Sequence, residues 1–543
     1  MNPFIAQCVS LLPMKHVTRQ LWYVPLMSVV AVFCVAPQAA PAQQTTTGIP
    51  CSQIAALHLE KQQNLRAAKT LIECGVEKGG RPTNSSGESA DNAPQPPNVL
   101  VSNRACTDPT SCTKSTSMIW HSSRAGDNTV VVTYNDGNGS SYSGVSFSTN
   151  GGSTFTEIQP SPFNSGHGMN YGDPLLVYDQ KLGEWFAGDL VSGCGGFGIG
   201  MWTSPDGQNW STSSCAHNGN NDDRPSIWVD NNPFSRAYGR IYVSFNDFSV
   251  EGGIIAVTHS DDGNTWSAPA PLTDDFIRNV QLTGTPPGPP APNAGYISTV
   301  FVAGMDEGAG GLNSRQNIMY RSTDGGTTWT AVAMGPRFNP PGDGLCSTGS
   351  FFAKISPIWR TQGWGQPGVG PGGVVHYAYA AQGVLSSGDI LYTRSTDNGN
   401  TWSTPIVLND PETNQYQSHW MPSLSVNYSP SAFRQPQDVT VSWYDRRQAT
   451  SACNNVGDPG CNYQRFGVQS SNNGATWGPN IEISDIIIPQ PAQEDPDFPE
   501  CYAGDYDYAT ALNGNAYLTW TDGRVAVQGV QVQNVEAAVV PEP

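Results

Sequence analysis

The sequence predicts an all-β chain of repeated four-stranded antiparallel units behind a short helical N-terminal segment. Three observations predict it. A short turn motif recurs six times along the 543 residues. Alternating apolar runs flank most copies, as strands flank a hairpin turn. Gly (58) and Pro (43) are abundant and charged residues make up only 13%, while 15 Trp, 20 Tyr and 18 Phe supply a core, which suits a turn-rich β protein rather than a disordered chain.

The elements follow in chain order. Lys15, His16 and Arg19 precede an apolar run from Leu21 to Val35, and Ala40-Pro41-Ala42 offers a small-x-small cleavage site. Residues 1–42 therefore read as a removable signal peptide, with Met14 as an alternative start. A run this short is a poor membrane anchor, and no other stretch is long and apolar enough to cross a bilayer. Residues 43–80 form the helical segment, where Ile54, Leu57, Leu65, Ala68 and Ile72 share one face and Gly75 stops the helix. A Cys51–Cys74 bond would forbid one straight helix. A helix over that interval rises ~34 Å, and bridged Cα atoms lie about 4.4–6.8 Å apart. The helix then breaks near Gln62–Asn64, or the two cysteines pair elsewhere. Residues 81–96, rich in Gly, Ser, Asn and Pro, read as a linker, and 97–543 hold the repeats.

The six copies are Ser148 to Phe155, Thr203 to Trp210, His259 to Trp266, Ser322 to Trp329, Ser395 to Trp402 and Ser470 to Trp477. Their shared form is Ser/Thr-x-Asp-x-Gly-x-Thr-Trp, with Asp261 aligned as the acid of the third copy. The final aromatics lie 55, 56, 63, 73 and 75 residues apart, the period of an array of supersecondary units. The Asp or Asn side chain accepts bonds from nearby backbone N–H groups, and Gly supplies positive φ. Trp plugs the space between sheets with its indole N–H on a carbonyl. These acids are structural staples.

The motif is that of the Asp-box, or BNR repeat. The chain from residue 97 resembles the Asp-box β-propellers of the sialidase-like superfamily, in which the box joins strands three and four of each blade. Strands are expected at Met118–His121, Thr129–Tyr134 and Tyr142–Ser148 in the first unit, and at Pro174–Asp179, Glu184–Leu190 and Phe197–Thr203 in the second. After the last box, Tyr506–Leu512, Ala516–Thr521 and Gly529–Val540 leave a sheet one strand short, and Asn98–Val101 supplies the fourth. This arithmetic gives seven blades rather than six, with no exposed sheet edge left at the join.

The net charge of −19 disfavours nucleic acid and anionic membrane surfaces as partners. An anionic sugar would need a local arginine cluster. Ten cysteines remain after the signal, with local pairs 106–112, 194–215 and 453–461. Such pairing fits a secreted or periplasmic protein. The chain reads as a monomer whose partner is a glycan or glycoconjugate.

The face opposite the boxes collects polar residues ahead of the first strands. These are His167 through Asp173-Pro174, Asp222-Asp223-Arg224-Pro225, His419-Trp420-Met421-Pro422 and Tyr502 through Asp505-Tyr506. Second strands end in Trp443-Tyr-Asp445-Arg446-Arg447 and Trp520-Thr-Asp522-Gly-Arg524, and the loops Asp274–Ala294 and Arg447–Tyr463 fall on the same face, either walling a cleft or bracing neighbouring sheets. A sialidase-like mechanism needs three arginines on a carboxylate, a Tyr nucleophile activated by a Glu, and an Asp as acid/base. The resemblance then implies Tyr506, Asp445 and Asp522 as catalytic residues. It implies Arg224, Arg446, Arg447, Arg524, Asp223, His419 and Trp420 as substrate contacts; no Glu stands out as the tyrosine's partner, and Glu500 is the one candidate. The sequence departs from the family where its Arg-Ile-Pro strand is expected; Trp420-Met421-Pro422 and Asp223-Arg224-Pro225 are the nearest matches. A glycoside hydrolase is the first reading, and a non-catalytic glycan- or protein-binding propeller the second. A third is a lyase or metal-dependent enzyme in which Asp222, Asp223, Asp445, Asp505 and Asp522 hold Ca²⁺ through oxygen ligands. No cofactor is otherwise expected, and no residue spacing suggests zinc.

Overall fold

A computed structural model describes residues 45–81, 90–91, 97–103, 106–137, 142–250, 252–288, 295–427 and 437–543. The signal-peptide reading, most of the linker and the end of the Asp274–Ala294 loop lie outside the described residues. Among the described residues the fold is mostly β, in four-stranded antiparallel sheets, with one α-helix.

Among the described residues seven sheets have four or five strands. Their first strands are β1 (Lys114–His121), β2 (Leu175–Asp179), β3 (Asp222–Val229), β4 (Arg278–Gly284), β5 (Gln366–Gly370), β6 (His419–Val426) and β7 (Thr510–Leu512). Each touches the first strand of the next sheet, and β7 touches β1. The first six sheets run outward in sequence order. The seventh runs from β7 through Asn515–Asp522 and Asn534–Pro541 to Val99–Leu100, which pairs antiparallel with the last of these. The short strand Asp507–Tyr508 pairs parallel with β1. Middle strands are buried on both faces and read as apolar runs. Trp185, Phe186, Ala187 and Leu190 of the second sheet, for instance, pack with Ile227 and Val243 of the third.

The six turn motifs lie between third and fourth strands. In the fourth copy Ser322 Oγ donates to Asp324 Oδ1 (2.8 Å) and accepts from Gly326 N (2.8 Å). Asp324 Oδ1 accepts from Thr328 N (2.9 Å), and Trp329 Nε1 donates to Gly326 O (3.1 Å). The third copy is shifted by one residue from its sequence alignment. Asp262, not Asp261, accepts from Thr265 N (2.7 Å), while Asp261 pairs with Arg240.

Two stretches differ from expectation. The Pro-rich interval from Asp274 is not one loop, because Arg278–Gly284 is β4 itself. A three-stranded sheet (Gly344–Leu345, Ala353–Ser356, Trp359–Thr361) is inserted between the fourth and fifth large sheets.

The N-terminal segment holds two 3₁₀ turns, Cys51–Gln53 and Leu59–Lys61, then α1 (Leu65–Glu73). Cys51 and Cys74 are bonded with Cα atoms 5.6 Å apart, and the chain reverses through Gln62–Asn64. Asn64 caps α1, its Oδ1 accepting from Ala67 N (2.9 Å). Cys106–Cys112, Cys194–Cys215 and Cys453–Cys461 are bonded, as is the long-range pair Cys346–Cys501. No helix among the described residues is long and apolar enough to cross a membrane.

Candidate functional site: an arginine centre under the N-terminal segment

The first strands begin at the end of the sheets away from the boxes, and several share one irregularity there. Register shifts fall at Ser115/Ser117, Asp223/Ser226, Asn279/Gln281 and Trp420/Ser423. Thr116, Asp173, Arg224 and Met421 have positive φ (51°, 61°, 44° and 48°) at or just ahead of these strands. A bulge re-aims side chains, and left-handed non-Gly residues cost about 1–3 kcal/mol each and cluster at functional sites.

Three guanidinium groups meet the tip of the N-terminal segment. Arg224 (β3) donates to Gln63 Oε1 and to Tyr508 Oη (3.4 Å). Its guanidinium lies 4.8 Å from the Trp364 ring centre and 5.3 Å from that of Tyr506. Arg278 (β4) donates to Lys61 O, to Asp223 Oδ2 (3.1 Å) and to Glu307 Oε2 (3.0 Å). Arg360, from the inserted sheet, grips both oxygens of Asp505 (2.8 and 2.7 Å) and donates to Gln63 O (2.8 Å). Asp223 Oδ1 accepts from Gln63 N (3.0 Å), Asn64 N (3.0 Å) and Asn64 Nδ2 (2.8 Å). Asn64 thus caps its helix with one side-chain atom and clamps Asp223 with another. Arg224, Arg278, Arg360, Asp223 and Asp505 are all buried.

Beside this clamp sits a group of buried polar atoms without hydrogen-bond partners among the described residues. They are both Asp173 carboxylate oxygens, Tyr506 Oη, Arg224 Nε and Gln63 Nε2. A buried unpaired polar group costs about 1–3 kcal/mol, so such a cluster marks a place built for water or a ligand. Burial is the main cause that pushes the Asp173 carboxyl well above the usual carboxylate range. The charges of Asp223 and Asp505 add to it, against Arg224 and Arg360. Burial, then Asp173, holds the Tyr506 hydroxyl protonated. The Tyr506 and Tyr508 rings stack at 4.4 Å.

The other sequence candidates go elsewhere. Asp445 accepts from Trp443 Nε1 (2.9 Å) and Arg447 Nη2 (2.6 Å). Asp522 accepts from Trp520 Nε1 (2.9 Å) and Arg524 Nη2 (2.8 Å). The same Trp-Asp-Arg strut thus ends the second strand of two adjacent sheets. It engages Asp445, Asp522, Arg447 and Arg524 in hydrogen bonds at their own strand ends. Arg446 donates to Ser418 Oγ and Ile355 O and lies over the Trp420 ring, apart from the three arginines. His419 lies 3.6 Å from Asp445. Glu500 pairs with Arg81 rather than Tyr506. The acids of the expected Ca²⁺ rim do not share a site. Asp222 is held by His217, Asp223 by Arg278, Asp505 by Arg360, and Asp445 and Asp522 by their struts. Arg224, Asp223 and Tyr506 do come together. Asp173, which the sequence placed on this face without a role, joins them, as do Arg278 and Arg360, which it did not single out.

A pH dependence follows. Burial raises Asp222 and Asp495 to about 7 and Glu542 to about 8. Their unfolded values are near 4. Between pH 6.5 and 8 the native state therefore holds more protons than the unfolded chain, and stability falls as pH rises. Below pH 6.5 buried His121, lowered to about 4, and His376, lowered to about 3, oppose this, because they stay neutral in the fold while the unfolded chain charges. The melting temperature is expected to fall by several degrees from pH 6.5 to pH 8, which calorimetry across that range checks.

No family model matches the sequence, and no curated protein matches it. Among solved structures, a Hadza microbial sialidase is similar at 13% identity, over 86% of this chain and 98% of that one, with a TM-score of 0.38. An α-L-arabinofuranosidase of Fusarium graminearum with arabinobiose is similar at 14%, over 84% and 98%, with a TM-score of 0.36. The Aleuria aurantia lectin with α-methyl-L-fucoside is similar at 12%, over 68% and 95%, with a TM-score of 0.35.

Proposed function

We propose that the chain is an exported seven-bladed Asp-box propeller that acts as a glycoside hydrolase on a carboxylate-bearing sugar. The supporting observation is the convergence of Arg224, Arg278 and Arg360 on carbonyl-type oxygens of Lys61 and Gln63. Planar guanidinium groups that hold these oxygens suit a sugar carboxylate still better, since the bonds become charge-assisted. Gln63 and its neighbours stand in the sugar's place, so substrate enters after the segment withdraws. Asp173, protonated at neutral pH, donates a proton to the glycosidic oxygen as the bond to the anomeric carbon breaks. Tyr506 Oη bonds to the anomeric carbon as its proton passes to the Asp173 carboxylate just formed, and water then displaces the tyrosine, its proton returning through Asp173 to the departing oxygen. The ring order of the first strands and the Val99–Leu100 pairing support seven blades. The apolar run before residue 42 and five disulfides support export.

A binder without catalysis is the second reading, favoured by the closure of the site in this state. Hydrolysis of aryl sialosides, glucuronides and neutral glycosides separates the two, with binding followed in parallel by ligand-observed NMR. Carboxylated sugars are expected to bind and turn over, Tyr506→Phe to keep binding while losing turnover by ~10²-fold or more, and Arg224→Met to lose both. Binding of the carboxylated sugars without turnover supports the second reading. Equal treatment of neutral and carboxylated sugars would remove the arginine centre from the function.

A further inference from the structure

On the same end of the sheets, away from the arginine centre, a second group of side chains is assembled with no role in that reading. Asp389 opens the third strand of the fifth sheet (Asp389–Ser395), His419 opens β6, and Glu412 lies in the connection between those two sheets. One ligand atom from each lies within 4.8 Å of the other two. Asp389 and His419 are buried, at 5% and 1% exposure, and Glu412 is half-buried.

Three features separate this group from an ordinary polar contact. No Lys or Arg among the described residues pairs with Asp389 or Glu412, so two neighbouring carboxylates lack a protein cation. Like charges this close repel unless a proton or a cation sits between them. The His419 ring is nearly inaccessible, yet neither nitrogen makes a hydrogen bond. Its closest acid, Asp445 at 3.6 Å from Nε2, is already held by Arg447 and Trp443. Finally, the carboxylates are steadied from behind, as metal ligands are. Asn409 Nδ2 donates to Asp389 Oδ1 (3.1 Å), and Ser386 Oγ donates to Glu412 Oε1 (2.9 Å).

We infer that Asp389, Glu412 and His419 form a site for a divalent first-row cation that ties the fifth sheet to the sixth. Two carboxylate oxygens and one imidazole nitrogen suit Zn²⁺ or Mn²⁺, whereas Ca²⁺ takes six to eight oxygen ligands. Three protein ligands leave a coordination position for water. Ser386, which holds Glu412, also lines a cavity of about 580 Å³, together with Gln382, Tyr416 and Arg446. It differs from the aspartate rim considered above, sharing none of those five acids as a ligand.

The test uses the full mature chain, stripped with chelator and dialysed against Zn²⁺ or Mn²⁺, with Ca²⁺ and Mg²⁺ as controls. One equivalent of Zn²⁺ or Mn²⁺ is expected, with a higher melting temperature, and Co²⁺ should bind with a visible absorption band. Glu412→Gln, at a half-buried position where folding is tolerant, is expected to weaken uptake at least ~10-fold with an unchanged circular dichroism spectrum. Asp389→Asn should do the same, and neither change should alter the arginine centre's affinity for a sugar carboxylate. Absence of stoichiometric uptake by the unaltered chain overturns the inference. So does uptake that survives both substitutions, or selective uptake of Ca²⁺.

Discussion

Cutting the chain within residues 82–89 is expected to raise its affinity for a carboxylated sugar by about tenfold or more. While the chain is intact, Gln62–Asn64 compete for the arginine centre as a tethered ligand, and a short tether gives an effective concentration in the millimolar range. Free sugar then sees its affinity reduced by the small fraction of open molecules. The cut leaves the contacts in place but makes release a true dissociation, favoured by dilution. The segment has other anchors, among them Gly80 N on Phe498 O (2.9 Å), Arg81 N on Gln493 O (3.1 Å) and Gln62 Nε2 on Asn221 Oδ1 (3.1 Å). Leu65 N donates to Tyr171 O (3.2 Å), Lys69 pairs with Asp497 (2.8 Å), Glu500 N donates to Lys78 O (2.8 Å), and Leu65 packs with Tyr142, Phe498 and Tyr502. Burying Leu65 contributes roughly 1.5–3 kcal/mol. The Cys51–Cys74 bond lets the released piece keep its loop, so peptide 43–81 added back should compete with the sugar and restore the closed state. Titration calorimetry with N-acetylneuraminate or glucuronate, before and after the cut and with the peptide added back, reads this directly. An affinity unchanged after the piece has been shown to leave would mean that the segment does not guard the site. If the piece cannot be removed without unfolding the sheets, it is a permanent part of the fold.

The scaffold was far more legible in the sequence than the site. The turn motif repeats because six of the seven large sheets use the same Ser-Asp-Gly geometry at the same corner, so Ser322, Asp324 and Trp329 announce themselves. The reversal at Gln62–Asn64 followed from the length of a helix set against the reach of a disulfide. Val99–Leu100 followed from counting a missing strand. The site depends instead on which side chains a bulge turns inward and on which sheets become neighbours, and neither is periodic along the chain. Arg278 sat in a stretch whose prolines resemble a loop. Arg360 comes from an insertion that no box marks. The repeated Trp-x-Asp pattern at Trp443 and Trp520 drew attention because it recurs, yet recurrence at matching positions of adjacent sheets is what a strut produces. A usable signal was present in Asp173-Pro174, which lies just ahead of β2, much as Arg224-Pro225 lies near the start of β3. Equivalent positions in the repeat were the better guide to the centre.

Replacing Arg360 by Met is expected to destabilise the fold by about 3–5 kcal/mol, while the pair Arg360→Met with Asp505→Leu recovers most of that loss. Arg360 is buried between the Phe352 and Tyr502 rings, its guanidinium 4.6 and 5.2 Å from their centres, and Asp505 is as deeply buried. Removing the cation alone strands a carboxylate without water and leaves Gln63 O without its donor. Removing both charges eliminates the desolvation cost as well as the attraction, and in a buried pair these are of similar size. Urea unfolding at constant slope measures it, since the midpoint then reports stability alone. A single-variant loss under ~1 kcal/mol, in the range of an exposed pair, would mean that water reaches Asp505 and that the centre is wetter than its burial implies. A double variant no more stable than the single would place the cost in lost packing against Phe352 and Tyr502. The same double variant also bears on the ligand site. It keeps Arg224 and Arg278 but loses the donor to Gln63 O, so the segment should hold less tightly even where the sheets are as stable as before. Recovered stability with a looser segment would separate Arg360's contribution to the fold from its grip on whatever occupies the centre.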